Sequence, residues 1–564
     1  MFKKQLGRDT MQKLDRITVG ALLDRTAAQF PENDALVYNH RDLRLSYQEF
    51  NRLCRRVAKG LMALGIQKGE HIAIWATNVP EWVTLQFTTG KMGAVLVTVN
   101  TNYKSFEVEY LLQQSDATTL VMIGGTKTTD YLKIINELCP ELKDCPPGQL
   151  NSARLPLLKN VIFIGEEAQA GMLNWNDLLE LADQITDEEL DARQASLDPD
   201  DCINMQYTSG TTGFPKGVML THTNLVNNAH SIANCMAFSQ RDRLLITVPF
   251  FHCFGCVLGT MTCVVSGATM VPLEVFNPVR VLEIVDQERC TALHGVPTMF
   301  IMELEELAKG NYDVSSLRTG IMAGSPCPIE VMKAVVDRMG MREITITYGQ
   351  TEASPAITMT RTDDPIELRV TTVGKVIPNV EAKIVDPETG EDCPPGVQGE
   401  ICSRGYNVMK GYYKMPEATA QAIDQDGWLH TGDLGIMDEK GYFKITGRLK
   451  DMIIRGGENV YPREIEEFLY THPLIKDVQV VGVPSLKYGE EVLAYVQLRE
   501  GVTLTKEEIQ DYCRDKIAKY KVPSYVLFID RYPITASGKI QKYKLREQAI
   551  ASLGLENLTK IETA

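Results

Sequence analysis

The sequence has little of what marks a secreted or a nucleic-acid-binding protein. Its 13 cysteines are scattered without the paired spacings of a disulfide framework, so they indicate small buried side chains in a reducing compartment. The 58 Lys and Arg are outnumbered by 73 Asp and Glu, which gives a formal net charge of −15 and argues against broad nucleic-acid binding. No apolar segment follows the basic residues at the beginning of the sequence, so no export signal is predicted. A cytoplasmic location is therefore expected.

One long run, residues 244–273, has no Asp, Glu, Lys or Arg. It is long enough to cross a bilayer, but prolines and glycines such as Pro249 and Pro272 interrupt it. The run therefore predicts a buried strand, a helix and a second strand, and no transmembrane segment. Within it, His252, Cys253 and Cys256 lie close together. No second Cys/His pair accompanies them at zinc-site spacing, which disfavours a zinc site.

The length and pattern of the chain predict more than one domain. Its 564 residues, 44% hydrophobic and 23% charged, are typical of a globular protein too large for a single core. Short apolar runs alternate with helix-like segments from about residue 30 to residue 165, which predicts mainly parallel sheets covered by helices. Shorter strands with turn residues begin near residue 373, and a compact α+β module of about a hundred residues follows residue 451. We place the domain boundary near Lys450.

The segment 208–217, T-S-G-T-T-G-F-P-K-G, is the strongest chemical signal in the sequence. It joins two apolar segments. Glycines let backbone amides approach oxyanions, hydroxyls add donors, and Lys216 adds a positive charge, so the segment predicts polyphosphate binding. Lys216 lies between Pro215 and Gly217, whereas the Walker motif needs Gly before the lysine and Ser or Thr after it. An ordinary P-loop NTPase is therefore disfavoured.

Four further motifs occur downstream of this loop. They are Y-G-Q-T-E at 348–352, T-G-D at 431–433, G-R-L-K-D at 447–451 and P-I-T-A-S-G-K-I at 533–540. Each alone could be a common turn or a solvated segment. All five in this order resemble the adenylate-forming superfamily, which includes acyl-CoA synthetases, peptide-synthetase adenylation domains and firefly luciferase. The resemblance extends from about residue 22 to residue 545.

The resemblance implies an α/β fold with two domains. A large N-terminal domain, residues 1–449, would contain two α/β sheets and a β-barrel subdomain at about 373–449. A small mobile α+β C-terminal domain, residues 450–564, would carry Lys539.

The resemblance also implies ATP and Mg²⁺ as ligands. It assigns the β- and γ-phosphates to the residues Thr208, Ser209, Gly210, Thr211, Thr212, Gly213 and Lys216. Thr211 and Glu352 would contact Mg²⁺, which prefers oxygen ligands and keeps several waters. The adenine would stack on Tyr348 with Gly349, Gln350, Thr351 and Ser325 nearby, and the ribose would be held by Asp433 and Arg448.

The chemistry of adenylation explains why cations matter here. A carboxylate that attacks the α-phosphate of ATP must overcome like-charge repulsion. By resemblance, Lys539 bridges the carboxylate and the α-phosphate as pyrophosphate leaves. The C-terminal domain then rotates about Lys450, and Gly456 and Gly457 let the pantetheine arm of coenzyme A reach the acyl-adenylate.

The nature of the acid depends on the predicted acyl pocket, to which we assign His252 and Gly324. His252 occupies a position where amino-acid-activating domains commonly carry an aspartate, and a histidine there does not suit an amino acid. The uncharged segments 254–262 and 295–300 favour an uncharged organic tail. The sequences around 450–462 and 537–547 most resemble medium-chain fatty acyl-CoA synthetases, with an aromatic or alicyclic acid as the alternative.

Three other functions stay open at this point: a free-standing adenylation enzyme with another acceptor, a luciferase-like oxygenase, and a catalytically silent binding protein. The sequence ends without a peroxisomal tripeptide, which disfavours the second. Retention of Lys539, Glu352 and Lys216 disfavours the third. We expect an acid:CoA ligase whose partners are a carboxylic acid, ATP and coenzyme A, without nucleic acid or a transmembrane segment. A homodimer is left open.

Overall fold

The computed structural model describes residues 13–208, 215–324, 327–455, 458–485, 488–514, 516–517, 519–535 and 538–560. Up to residue 201, helices and strands alternate. The helices are α1 (Val19–Gln29), α2 (Tyr47–Ala63), α3 (Pro80–Met92), α4 (Ser105–Gln114), α5 (Tyr131–Leu138), α6 (Trp175–Leu181) and α7 (Asp187–Ala195). The strands are β1 (Asp34–Tyr38), β2 (Leu43–Ser46), β3 (His71–Trp75), β4 (Val95–Thr98), β5 (Ala117–Ile123), β6 (Gly125–Thr126), β7 (Thr129–Asp130), β8 (Asn160–Ile164) and β9 (Leu173–Asn174).

The alternation continues from residue 202 to residue 376. The strands are β10 (Cys202–Thr208), β11 (Lys216–Thr221), β12 (Arg243–Ile246), β13 (Thr269–Pro272), β14 (Ala292–His294), β15 (Thr319–Met322), β16 (Glu343–Gly349), β17 (Ala356–Met359) and β18 (Lys375–Val376). The helices are α8 (His222–Cys235), α9 (Thr262–Ser266), α10 (Pro278–Glu288), α11 (Pro297–Leu307), α12 (Ile329–Met339) and α13 (Ile366–Thr371), with a π-helix at Phe254–Met261.

Two large sheets organise this part of the chain. One has the strand order β21-β11-β10-β4-β3-β5-β8-β9, where β21 is Gly411–Tyr412, and the other has the order β18-β17-β16-β15-β14-β12-β13-β1-β2. The predicted parallel pairing is confirmed in β3, β4, β5 and β8. The largest cluster of buried side chains draws on both sheets, α3, α8 and the π-helix. The two sheets therefore share one core, and β10 and β16 end beside the motifs that follow them.

The uncharged run at 244–273 forms the predicted strand, helix and strand. It contains most of β12, the π-helix, α9 and β13, and every residue of the π-helix is buried. Gly255 is required there because a Cβ would lie 2.3 Å from the carbonyl oxygen of Pro249. Among the residues that the structure describes, no helix combines the length and apolar character that a membrane crossing needs.

Short antiparallel strands follow, in the region where the sequence predicts a β-rich subdomain. They are β19 (Val380–Val385), β20 (Gly399–Gly405), β22 (Leu429–Met437) and β23 (Phe443–Arg448), with the helix α14 (Pro416–Ala422). These four strands form one sheet in the order β19-β20-β22-β23. The short strand β21 instead pairs with β11, which attaches this region to the first large sheet.

The last part of the chain is an α+β unit with its own core. Its strands are β24 (Ile453–Arg455), β25 (Glu458–Val460), β26 (Ile475–Ser485), β27 (Gly489–Leu498) and β28 (Tyr525–Phe528), and its helices are α15 (Pro462–Tyr470), α16 (Lys506–Cys513) and α17 (Lys542–Ser552). Separate apolar clusters lie on the two faces of the hairpin β26–β27. The predicted fold class, a large α/β domain followed by a small α+β domain, is confirmed. The boundary near Lys450 stays a prediction.

Candidate active site

The ends of the predicted phosphate loop are held by a strand pair. β10 and β11 are antiparallel, and Thr208 pairs with Lys216 across the ladder. The ammonium of Lys216 lies 4.8 Å from the ring centroid of Tyr412, an attractive cation–π distance. Five of the predicted phosphate contacts, Ser209, Gly210, Thr211, Thr212 and Gly213, lie outside the described residues.

Glu352 connects the Y-G-Q-T-E motif to this loop. It lies in a 3₁₀ turn directly after β16. Its Oε1 accepts hydrogen bonds from the hydroxyl of Tyr412 at 2.8 Å and from that of Thr208 at 3.4 Å. A carboxylate and a hydroxyl beside a phosphate loop are hard oxygen donors, and such a set fits Mg²⁺. Sequence reasoning missed Tyr412, because nothing local to residues 411–413 signals a contact with Glu352.

The start of the same motif is set by a close backbone approach. A Cβ at Gly349 would lie 1.9 Å from the carbonyl oxygen of Pro355, so only glycine fits where β16 ends. The amide of Gln350 donates to that carbonyl at 2.9 Å, and Thr351 opens the 3₁₀ turn. This turn gives Glu352 its place beside the loop.

Tyr348 and Asp433 meet across the two sheets that carry them. The hydroxyl of Tyr348, on β16, donates to Oδ2 of Asp433, on β22, at 3.0 Å, and both side chains are buried. Asp433 pairs in register with Arg448 on β23. The side chains of Arg448 and Lys450 lie outside what the structure describes. The structure thus brings the residues predicted for the adenine and the ribose into direct contact.

Glu400 supports the T-G-D turn that presents Asp433. One carboxylate oxygen of Glu400 accepts from the amide of Gly432 at 2.8 Å, and the other lies 2.8 Å from Nδ1 of His430. Gly432 has a φ of +70°, which favours glycine. Cys402 completes a group of three metal-ligating side chains with Glu400 and His430. Their mutual hydrogen bonds already explain the arrangement, and sequence reasoning identified none of the three.

Lys539 reaches the N-terminal domain. A Cβ at Gly324 would lie 3.6 Å from Cε of Lys539, so the lysine side chain passes directly over this glycine. The backbone of Lys539 exchanges hydrogen bonds with Thr535: its amide donates to the Thr535 hydroxyl at 3.0 Å, and its carbonyl accepts from the Thr535 amide at 2.7 Å. The predicted adenine contact Ser325, next to Gly324, lies outside the described residues.

His252 lies near the charge of Lys539 and is neutral. Burial and the positive charge of Lys539 lower the pKa of His252 to about 3. Its Nδ1 accepts a hydrogen bond from the amide of Phe254 at 3.2 Å. The proton of the neutral ring is therefore on Nε2. This nitrogen can donate to a carboxylate oxygen but cannot supply a charge to it.

The two cysteines after His252 are part of a buried hydrogen-bonded group. Sγ of Cys253 donates to Oε1 of Gln206 at 2.8 Å, and Nε2 of Gln206 donates to Sγ of Cys256 at 3.1 Å. Burial raises the pKa of Cys256 to about 12, which keeps its thiol protonated. These contacts tie the beginning of the π-helix to β10, two residues before Thr208.

The predicted coenzyme A segment follows β24. Gly456 and Gly457 lie outside the described residues. Arg455, directly before them, pairs with Glu491 at 2.6 Å, and its guanidinium lies 4.9 Å from the ring centroid of Tyr488. An ion pair and a cation–π contact therefore hold Arg455, the residue that precedes this segment.

Helix α11 begins at the site and contains an unusual carboxyl. Val296 precedes the helix, and Met299 in its first turn belongs to the shared core. Glu303, one turn later on the same face, has no solvent exposure, and neither of its carboxyl oxygens has a hydrogen-bond partner. Burial raises its pKa to about 8. Glu303 is therefore protonated in the folded protein at neutral pH.

We expect Glu303→Met to stabilise the protein increasingly as pH rises. Between about pH 4.5 and pH 8, Glu303 is ionised in the unfolded state and protonated in the folded state. The free energy of unfolding of the wild type therefore falls by up to ~1.4 kcal/mol per pH unit. The variant should gain about 2–4 kcal/mol over the wild type between pH 5 and pH 8, measured by denaturant unfolding. Glu306→Met, on the same helix but partly exposed, is the control. A difference independent of pH would contradict the assignment.

Comparison with known proteins agrees with this geometry. A model described as AMP-binding enzyme matches residues 23–413, and one described as AMP-binding enzyme C-terminal domain matches residues 464–539. YngI of Bacillus subtilis (strain 168), whose name assigns it as an acyl-CoA synthetase, is 58% identical over 547 residues, covering 97% of this chain and 100% of that protein.

Two further proteins bear on the substrate. Mitochondrial medium-chain acyl-CoA ligase ACSF2 of Bos taurus is 42% identical over 548 residues, which cover 96% of this chain and 89% of that protein. The crystal structure of the anthranilate CoA ligase AuaEII in complex with anthranoyl-AMP matches with a TM-score of 0.83 and 26% identity. It covers 96% of this chain and 99% of that one.

Proposed function

The chain belongs to the AMP-binding enzyme family and is an acyl-CoA synthetase, and from this premise we propose that it activates a medium-chain fatty acid. ATP and coenzyme A are its co-substrates. The observation that carries the residue assignment is the position of Lys539, which crosses from the C-terminal domain to lie over Gly324, near His252. A cation at the junction of two domains can be brought to a reaction and withdrawn from it.

In the first half-reaction a carboxylate oxygen of the acid attacks the α-phosphorus of ATP. A new P–O bond forms, the bond between the α- and β-phosphates breaks, and pyrophosphate leaves. Lys539 reduces the repulsion between the carboxylate and the α-phosphate, where negative charge accumulates. His252 donates from Nε2 to a carboxylate oxygen and orients the acid for attack.

The nucleotide is held by the other motifs. Tyr348 presents its ring to the adenine while its hydroxyl binds Asp433, and Asp433 accepts from the ribose hydroxyls. The loop that begins at Thr208, with Lys216, holds the outer phosphates. Glu352, together with Thr211, would hold Mg²⁺, which neutralises phosphate charge when bound.

In the second half-reaction the sulfur of coenzyme A attacks the acyl carbon. The thiol proton is released to solvent, a C–S bond forms, and the mixed anhydride bond breaks to release AMP. We propose that the C-terminal domain turns about Lys450 between the two steps, which withdraws Lys539 and brings Gly456 and Gly457 to the site.

The apolar character of the segment after His252 supports an aliphatic acid. The segment after His252 is a fully buried π-helix that contains Phe254, Val257 and Leu258. His294 is also fully buried and hydrogen-bonded to the carbonyl of Leu258, so it offers no charge to a polar tail. The medium-chain name of ACSF2 supports this assignment. An aromatic acid is the second candidate, supported by the similarity to the anthranilate ligase.

An acid panel tests this proposal. Straight-chain acids of six to twelve carbons, benzoate, anthranilate and cyclohexane carboxylate are supplied with ATP, Mg²⁺ and coenzyme A. We expect the medium-chain acids to give a kcat/KM at least about tenfold above the aromatic acids, since each buried methylene contributes roughly 0.8 kcal/mol. AMP release is measured with and without coenzyme A.

Release that depends on coenzyme A supports thioester formation. A preference for anthranilate or benzoate would instead favour the second candidate. Turnover that requires an amine or oxygen in place of coenzyme A would refute both.

A further inference from the structure

Helix α11 contacts the C-terminal domain at both of its ends. At its beginning, a Cβ at Gly538 would lie 2.8 Å from Cγ2 of Val296 and 3.9 Å from Cε of Met299, so the segment that carries Lys539 rests on the first turn. At its other end, Nζ of Lys476, on β26, lies 2.5 Å from Oε1 of Glu305. Both are direct contacts between residues of the two domains.

The spacing of the two contacts determines what they can do. Val296 and Glu305 are nine residues apart, which is about 13 Å along an α-helix. A single contact on α11 would let the C-terminal domain turn about one point of the helix, whereas two contacts this far apart restrict that rotation. The first contact lies next to Lys539 and the second is far from the proposed reaction centre. A substitution at the Lys476–Glu305 contact can therefore alter the position of Lys539 without contacting a substrate.

We propose that the ion pair between Lys476 and Glu305 is a positioning contact for adenylation. It favours the orientation in which Lys539 lies over Gly324, and it separates when the C-terminal domain turns for thioester formation. This inference rests on the proposed function, because it assigns the pair to one of the two half-reactions. Lys476 and Glu305 are positioning residues, since both act through the orientation of Lys539.

The solvent exposure of the Lys476–Glu305 pair is consistent with a contact that breaks once in each catalytic cycle. The side chains of Lys476 and Glu305 are 28% and 47% exposed. Ion pairs this accessible change an equilibrium by a few-fold and weaken with added salt. Such a pair biases the domain orientation without locking it. A fully buried pair would instead resist separation and slow the second half-reaction.

Charge exchange tests the proposal. Lys476→Glu and Glu305→Lys each place two like charges together, and we expect each to lower acid-dependent ATP–pyrophosphate exchange about threefold to tenfold. Thioester formation from supplied acyl-adenylate should be unchanged or faster. The double variant restores an opposite-charge pair and should bring exchange back to within about twofold of the wild type. A purely structural role would lower both half-reactions together.

Lys333→Glu is the matched control, because Lys333 pairs with Glu330 within α12 of the N-terminal domain. We expect it to leave both half-reactions unchanged. Equal losses in both half-reactions, or a double variant that does not recover, would overturn the proposal. If the wild type itself shows no acid-dependent exchange, the proposed function fails instead.

Hydrogen exchange gives a readout that needs no turnover. Amides at the end of α11 should exchange faster in Lys476→Glu than in the wild type and return to the wild-type rate in the double variant. Unchanged exchange in this helix in the single variants would overturn the positioning role, whether or not the acid has been identified.

Discussion

Replacing Lys539 with alanine is expected to lower acid-dependent ATP–pyrophosphate exchange by at least about a hundredfold. Lys539 lies over Gly324, and its charge acts on His252. In the proposed function its ammonium lies where the acid and the α-phosphate meet. Removing a preorganised group that stabilises transition-state charge costs about 10²–10³ in rate. Exchange of labelled pyrophosphate into ATP measures this step alone.

The second half-reaction separates this role from a general loss of folding. Thioester formation from supplied acyl-adenylate should stay within about threefold of the wild type, because the proposed turn of the C-terminal domain withdraws Lys539 before this step. Lys544→Ala, an exposed lysine on the neighbouring helix α17, is the control and should leave exchange unchanged. Exchange that persists in Lys539→Ala would show that another cation carries adenylation.

The opposite pattern is expected for Lys450→Pro. The backbone of Lys450 lies in a 3₁₀ turn, Leu449–Asp451, whose φ of about −50° to −70° a proline can adopt. The C-terminal domain of the variant should therefore keep the orientation seen in this structure, and its ATP–pyrophosphate exchange should stay within about threefold of the wild type. Proline fixes φ, so a rotation at this position is blocked, and thioester formation should fall at least about tenfold.

Lys450→Ala separates the backbone effect from the loss of the side chain. Alanine leaves φ free, so both half-reactions should stay near the wild-type rate. If Lys450→Ala and Lys450→Pro impair thioester formation equally, the side chain of Lys450 is what matters. If neither impairs it, Lys450 is not the residue about which the proposed turn occurs.

The fold was predictable where burial leaves a local pattern. Strands such as β3 and β8 are short apolar runs, because strands in a parallel sheet are covered on both faces. The uncharged run at 244–273 predicted a strand, a helix and a strand. It could not predict that the helix is of the π type, since a segment that is buried all round has no apolar face to set its period.

The candidate site was predictable only in part. The motifs identify Thr208, Glu352 and Asp433 because glycines and polar residues are locally conspicuous there. The partners of these residues were not identified: Tyr412 on Glu352 and Glu400 beneath Gly432 are held by pairings between distant strands. Such contacts arise from the register of sheets, which no short segment of sequence contains. Glu303 was missed for the opposite reason, because a glutamate in a helix predicts a solvated face.

The contact between Gly538 and Val296 requires the surfaces of the two domains to be complementary. The N-terminal domain already fills the space that a side chain at Gly538 would need. A larger residue at position 538 therefore requires a compensating substitution in the N-terminal domain. A chimera that joins the first domain of this chain to the second domain of a relative would inherit an intact nucleotide site and an intact lysine. Its domains would fit only if the relative also presents a glycine to Val296, and its adenylation would be slower without a cation opposite Glu305. Compatibility between domains is thus a constraint on recombination in addition to the chemistry of either part.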